Sequence, residues 1–235
     1  RYHSFIWLYY MTRFPNMPIR IFNGGIGGDT AYDMNKRLDG DIFSKNPTVL
    51  MVTFGMNDSG YYEYNGDNAK EFGEQKYQES IKNFQQMEKR FKELPHTRIV
   101  MTGTSPYDET AQIKDNTVFK KKNETIKRII EYQRESAARN GWEFTDWNAP
   151  MVAINQELQQ KDPSFTLCGN DRIHPDNDGH MVMAYLFLKA QGFAGKDVAN
   201  MEINANKKQA VKAEGCTISN IKKIGKDISF DYLAE

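Results

Sequence analysis

Thr48-Val-Leu-Met-Val-Thr-Phe54 is a nearly continuous apolar run that stops at Gly55-Met-Asn-Asp58. A short uncharged run of this kind predicts a strand buried on both faces, as in the interior of a parallel sheet. Outward from it the pattern recurs. Residues 19–23, bounded by Pro18 and glycines, read as a short strand, and 98–103 and 142–147 as two more. Helical stretches alternate with them. Tyr77, Ile81, Phe84, Met87 and Phe91 stand at helical spacing and predict a helix over 74–93. Others are predicted over 4–14, from Asp29 or Thr30 to about 38, and over 117–139, the last stopping at Asn140-Gly141. Two more cover 151–160 and 179–190. The first of these helices mixes aromatics and aliphatics and is expected to be buried. Strand–helix alternation with apolar strands predicts an α/β fold, a parallel sheet with helices on both faces. From about Val198 the chain changes to exposed-strand alternation over 201–206, 216–221 and 227–232. The expected division is an α/β domain over 1–195 and the start of a C-terminal β appendage over 196–235.

The chain of 235 residues fits one such domain plus a small addition. Lys and Arg number 31 and Asp and Glu 31, so no net basic charge recommends nucleic acid as a partner. No apolar run reaches the ~20 residues of a membrane helix. Phe5-Ile-Trp-Leu-Tyr-Tyr10 is short and lacks a cleavage-site pattern, so it is not read as a signal peptide. Cys168 and Cys216 lie too far apart to form a metal knuckle, and their spacing leaves open whether they pair or stay free. There is no initiator Met, and the chain ends straight out of an apparent strand. Both ends read as cut from a longer precursor.

Three stretches carry chemistry. Asn23-Gly-Gly-Ile-Gly-Gly-Asp-Thr30 and Gly55-Met-Asn-Asp58 each follow a predicted strand, and Asp171-Arg-Ile-His-Pro-Asp176 precedes the last helix. Open α/β sheets place their sites beyond the carboxyl ends of strands. Glycines tolerate close approach and can present backbone N–H groups, and Asn57 offers an amide, the two kinds of donor an acyl-transfer oxyanion needs. His174 stands three residues after Asp171 and just before Pro175, which biases it away from helical geometry. Such a pair suits acid–base work: the imidazole moves a proton, and the carboxylate fixes its tautomer.

Blander readings stand beside these. The 24–28 turn could be a plain strand-to-helix connection; it lacks the spacing of a dinucleotide site and the Lys of a P-loop. Asp58 reads as bracing its loop from behind. Asp176, Asp178 and His180 with His174 could suggest a metal cluster, but a helix capped by Asp176 or Asn177 is simpler, and no metal or other cofactor is expected. His3 and His96 read as surface residues. Arg13 and Arg172 could pair with Asp side chains or meet a substrate. In the Tyr-, Asn- and Gly-rich loop 59–72, Tyr61, Tyr62 and Tyr64 could be packing, or Tyr61 and Tyr62 could offer faces on which sugar rings stack.

In order and spacing, Ile26-Gly-Gly-Asp-Thr30, Gly55-Met-Asn-Asp58 and Asp171-Arg-Ile-His-Pro175 resemble three of the four blocks of the SGNH hydrolases, the GDSL esterase superfamily. The resemblance covers about residues 1–192. It implies a three-layer, flavodoxin-like fold with a five-stranded sheet, four of whose strands are in this chain. It implies a serine esterase in which Gly28 N–H and the Asn57 amide form the oxyanion hole, His174 is the general base and Asp171 its partner. The substrate would be a small-molecule or carbohydrate ester, with deacetylation favoured, in a secreted or periplasmic bacterial protein. The family's first block, Gly-Asp-Ser, is missing. Its serine and strand would lie just before Arg1, the strand falling between those of 19–23 and 48–54. Ser4 follows neither a strand nor a Gly-Asp. Two rivals remain: a metal-dependent hydrolase built on 171–180, and a non-catalytic carbohydrate-binding relative.

Overall fold

The structure, a computed structural model, describes residues 1–114, 117–193 and 197–234. Strands β1 (Val49–Phe54), β2 (Arg98–Gly103) and β3 (Glu143–Asp146) form one parallel sheet in the order β1-β2-β3. Among the described residues, six α-helices accompany it: α1 (Tyr2–Arg13), α2 (Ala31–Arg37), α3 (Ala69–Phe91), α4 (Lys122–Asn140), α5 (Asn148–Gln159) and α6 (Asn177–Ala190).

The two-residue period of the strands sorts their side chains into two layers. Leu50, Val52 and Phe54 of β1 and Ile99 and Met101 of β2 face α3 and α4, where Phe84, Met87, Phe91 and Ile129 complete one core. Val100 points the other way and packs with Ile6 of α1 and Ala184 and Phe187 of α6. A third cluster, Trp147, Met151, Leu167 and Met183, joins α5 to α6 on that side. The result is the expected helix–sheet–helix sandwich.

Three expectations fail. Residues 19–23 are not a strand; a strand needs a neighbour's backbone to pair with, and this segment takes part in none of the three sheets. The parallel sheet therefore has three strands of the four expected. The first helix forms but is not buried: only Ile6 is, while Trp7, Leu8 and Met11 are exposed. Its inner side packs on α6 and on Val100 of the sheet, while those three side chains face outward. The helix expected from 117 starts at Lys122, because Lys121 has a left-handed φ of +70° that a right-handed helix cannot include. The loop expected to run to 116 ends outside the described residues, as does the domain boundary at 195/196.

Beyond that boundary, β4 (Asn200–Asn204) pairs antiparallel with β5 (Gln209–Glu214), and β6 (Cys216–Ile224) with β7 (Asp227–Ala234). The β5 strand was not expected, since Val211 is its only large apolar residue. Every residue of β7 is exposed. No helix among the described residues is long and apolar enough to cross a membrane.

Phe84 is fully buried with its ring 5.0 Å from that of Phe54. Phe84→Ala should lower the unfolding free energy by about 3–5 kcal/mol, read by urea denaturation. A loss under about 1 kcal/mol would show that α3 does not seat on β1 as described.

Candidate functional site

The ends of β1 and β2 and the turn before α6 converge on one face. Asp58 organises the first of these loops. Its Oδ2 accepts the Gly55 N–H at 3.1 Å, and Oδ1 accepts the Ala31 N–H at 3.0 Å and the Ser80 hydroxyl at 3.1 Å. One carboxylate thus ties the end of β1, the first residue of α2 and the middle of α3. Burial pushes the Asp58 pKa up, and the three hydrogen bonds only partly offset this. The brace expected of Asp58 is present.

The glycine turn is fastened to the same loop. Asn57 Nδ2 donates to the Asp29 carbonyl at 3.0 Å, which sets its amide against the residue that follows Gly28. Gly28 has φ +89° and is exposed, and its N–H has no acceptor among the described residues. Arg37 of α2 holds the turn from below, its guanidinium on the Gly24 carbonyl at 2.6 Å and on the Asp29 carboxylate at 2.6 Å. Thr30 caps α2, and its hydroxyl and N–H both donate to Asp33 Oδ2.

In the third stretch His174 Nδ1 lies 2.6 Å from Asp171 Oδ2, while Oδ1 accepts the backbone N–H groups of Ile173 and His174, each at 2.9 Å. Burial raises the Asp171 pKa, but the imidazole and the two N–H donors outweigh it and leave the carboxylate below its ordinary value. The negative form that holds the ring is therefore favoured. The side chain of His174 is 80% exposed, and Nε2 has no partner among the described residues.

Two structural residues shape this turn. Arg172, buried at φ +68°, gives Nη1 to the carbonyls of Asp108 at 3.0 Å and Ala111 at 2.8 Å. It meets neither an Asp carboxylate nor solvent, and it anchors the turn to the loop after β2. Gly169 has φ +69°, and a Cβ there would sit 2.4 Å from the His174 carbonyl oxygen. Arg13, the other open arginine, reaches the Val198 carbonyl at 3.5 Å.

Ile173 packs in the same cluster as Met56 and Tyr61, so the Asp-x-x-His turn and the Asn57 loop share a wall. Of the three loop tyrosines, Tyr64 is core and bonds the Ser59 carbonyl at 2.8 Å. Tyr62 is 80% exposed, its ring edge-on to Phe119. Tyr61 turns inward, with its hydroxyl on Asn57 Oδ1 at 2.6 Å.

Sequence reasoning missed Lys122. It is fully buried, and its Nζ donates to the Met56 carbonyl at 2.7 Å, to Ser59 Oγ at 2.6 Å and to the Gly60 carbonyl. An ammonium with three fixed acceptors clamps the whole loop around Asn57. Cys168 and Cys216 are both free and buried. Asp176 takes the N-cap position of α6 without a side-chain cap bond. His180 lies on that helix against Tyr2, ring centroids 6.0 Å apart, and burial lowers its pKa to about 4. Among the described residues no three His, Cys, Asp or Glu side chains form a group able to hold a metal ion.

A three-layer α/β sheet with a His–Asp turn beside a glycine turn and a Gly-x-Asn-Asp loop defines a class. Residues 7–182 match the GDSL-like Lipase/Acylhydrolase family. The match spans well over half of the chain, which belongs to that family and is an SGNH-type carboxylic ester hydrolase. It is 24% identical over 181 residues to an acetylxylan esterase of Geobacillus stearothermophilus, covering 77% of this chain and 75% of the relative. The crystal structure of Axe2, an acetylxylan esterase from Geobacillus stearothermophilus, aligns with a TM-score of 0.64 at 23% identity, over 82% of this chain and 81% of that one. An acetyl xylan esterase, AlAXEase, aligns with a TM-score of 0.61 at 20% identity, over 80% of this chain and 89% of that one. These structural likenesses show a shared fold.

Burial lowers the Lys122 pKa to about 7, against the pull of Asp58 and Glu109, which raise it. An unfolded lysine titrates near 10.4. Between those values the unfolded chain binds more protons, so the contribution of this position to stability rises with pH from about 7 towards 10. Urea unfolding at about pH 6 and about pH 9 should show the parent chain gaining on Lys122→Met at the higher pH. A constant difference would mean that the ammonium keeps its proton throughout.

Proposed function

We propose that this chain supplies the base, the orienting carboxylate and two oxyanion donors of a serine esterase that removes acyl groups, acetyl foremost, from carbohydrate. The serine lies outside residues 1–235, upstream of Arg1. The observation that carries this reading is the 2.6 Å His174–Asp171 pair on a turn that shares a packed wall with the Asn57 loop. No serine among the described residues is hydrogen-bonded to His174. Of the four buried serines among the described residues, Ser59, Ser80 and Ser136 serve Lys122, Asp58 and Glu88, and Ser105 follows β2.

The serine Oγ attacks the ester carbonyl carbon while its proton passes to His174 Nε2. Asp171 holds Nδ1–H and stabilises the imidazolium. The carbonyl oxygen becomes an oxyanion facing Gly28 N–H and Asn57 Nδ2. On collapse the carbon–oxygen bond to the sugar breaks, and His174 returns the proton to the departing alkoxide. Water, with His174 again as base, then frees the acid and restores the serine.

Carbohydrate is supported by the relatives, which are acetylxylan esterases, and by the exposed Tyr62 ring, which could bear a sugar. Structures of Axe2 catalytic mutants carry alanine in place of a serine, an aspartate or a histidine, the last two standing three residues apart as Asp171 and His174 do.

Residues 1–235 alone should not hydrolyse p-nitrophenyl acetate above buffer, whereas the same chain extended upstream through a Gly-Asp-Ser should. Equal activity would place the nucleophile inside this sequence. In the extended protein His174→Ala should lower turnover by roughly 1,000-fold or more without unfolding it. A folded variant with near-parental turnover would remove His174 from the base role. Asn57→Ala should lower kcat by about 100- to 1,000-fold with KM little changed, because its amide meets charge present mainly in the transition state. A change confined to KM would make Asn57 a binding or turn residue.

A further inference from the structure

We infer that Tyr61 is a positioning residue for acyl transfer: its hydroxyl, with the ring braced on Lys122, fixes which edge of the Asn57 amide meets the reacting oxygen. The inference rests on the reading of Asn57 as an oxyanion donor and adds a residue that acts through it.

An amide is nearly symmetric in shape but not in charge. Its NH2 stabilises an oxyanion, whereas its oxygen in the same place repels one, and half a turn about the last side-chain bond exchanges the two. Something must hold the useful edge outward. The Asp29 carbonyl, 3.0 Å from Nδ2, can only accept, so the nitrogen must face it. The oxygen then faces the Tyr61 hydroxyl at 2.6 Å, which must donate. Burial pushes the phenol pKa up to about 12, and the charges of Asp171 and Asp58 add to this, so Tyr61 stays a neutral donor. Two fixed bonds thus take Oδ1 and one N–H, leaving the second amide N–H without an acceptor among the described residues.

Tyr61 is itself held. Lys122 Nζ lies 3.8 Å from its ring centroid, and Phe119 meets it at 6.0 Å, 73° between planes. The same ammonium holds the carbonyls of Met56 and Gly60, one on each side of Asn57. Backbone and side chain of the donor loop are therefore referred to one buried lysine. Tyr62, the next residue, points to solvent and has no such part.

Tyr61→Phe keeps the ring and removes only the donor. The protein extended upstream through its serine is used, with kcat and KM for p-nitrophenyl acetate measured in the parent, Tyr61→Phe, Asn57→Ala and the double variant. Tyr61→Phe should lower kcat about 10-fold, the scale of one lost hydrogen bond, with KM unchanged and Tm nearly so. In the Asn57→Ala background it should cause no further loss, because the amide it orients is gone. Parental kcat in Tyr61→Phe, with Asn57→Ala still damaged, overturns the positioning role and leaves the Asn57 reading standing. An equal loss in both backgrounds, or a loss in KM alone, makes Tyr61 a substrate contact and overturns it too. Parental kcat in Asn57→Ala removes the oxyanion reading and this inference with it. A readout free of catalysis uses the same upstream-extended protein labelled with 15N. The Asn57 side-chain NH2 resonances should shift and exchange faster in Tyr61→Phe, and unchanged resonances contradict the inference.

Discussion

The carboxylate of Asp58 accepts hydrogen bonds from Gly55 N–H, Ala31 N–H and the Ser80 hydroxyl, so the end of β1, the start of α2 and the middle of α3 meet on one buried group. Both oxyanion-donor loops hang from that meeting. If α2 left Asp58, the glycine turn would lose its reference to β1, and the Asn57–Asp29 bond that joins the two donor loops could not form. A buried carboxylate is stable only with its acceptor capacity filled. The three donors supply most of that capacity and only partly offset the burial, so losing any one of them would leave the carboxylate less satisfied. The interaction therefore specifies geometry more than it adds stability.

Lys122 is the complementary device. It reaches from α4 under the same loop and takes the outward-facing acceptors of Met56, Ser59 and Gly60. Asp58 collects donors and Lys122 collects acceptors. Between them they satisfy the Gly55 N–H and the carbonyls of Met56 and Gly60, and the Asn57 side chain keeps its two orienting bonds. In the His174–Asp171 turn Asp171 accepts two backbone N–H groups and meets the ring, while Arg172 serves the carbonyls of the adjoining loop.

The three-layer architecture was legible because Leu50, Val52, Ile99 and Met101 belong to uninterrupted apolar runs, and because Ile81, Phe84, Met87 and Phe91 keep helical spacing. The Asp171–His174 contact was legible because an Asp three residues before a His-Pro can reach back to the ring across a turn. Residues 19–23 misled: brief alternation marks a chain that can be a strand, and pairing decides whether it is one. The first helix misled likewise, since apolar content does not say what will cover it. Lys122 was hidden in Lys120-Lys121-Lys122, which reads as a solvated charge run; only the left-handed turn at Lys121 sends the third lysine inward. Tyr61 looked like half of an exposed aromatic pair, and nothing local separates it from Tyr62. Gly169 and Gly179 flank the His174 turn where a Cβ would strike the His174 and Leu167 carbonyls at 2.4 and 2.2 Å, a signal that was present in the sequence beside the motif but has no meaning until the loop is folded.

A serine esterase built on His174 requires a serine outside residues 1–235 as its nucleophile. Labelling the upstream-extended protein with a fluorophosphonate, followed by peptide mass mapping, tests it most directly, because the reagent bonds only to a serine whose proton a neighbouring base removes. One adduct is expected, on a serine encoded before Arg1, and it should be lost in His174→Ala. An adduct on any of the serines within residues 1–235, or labelling that persists without His174, would contradict it.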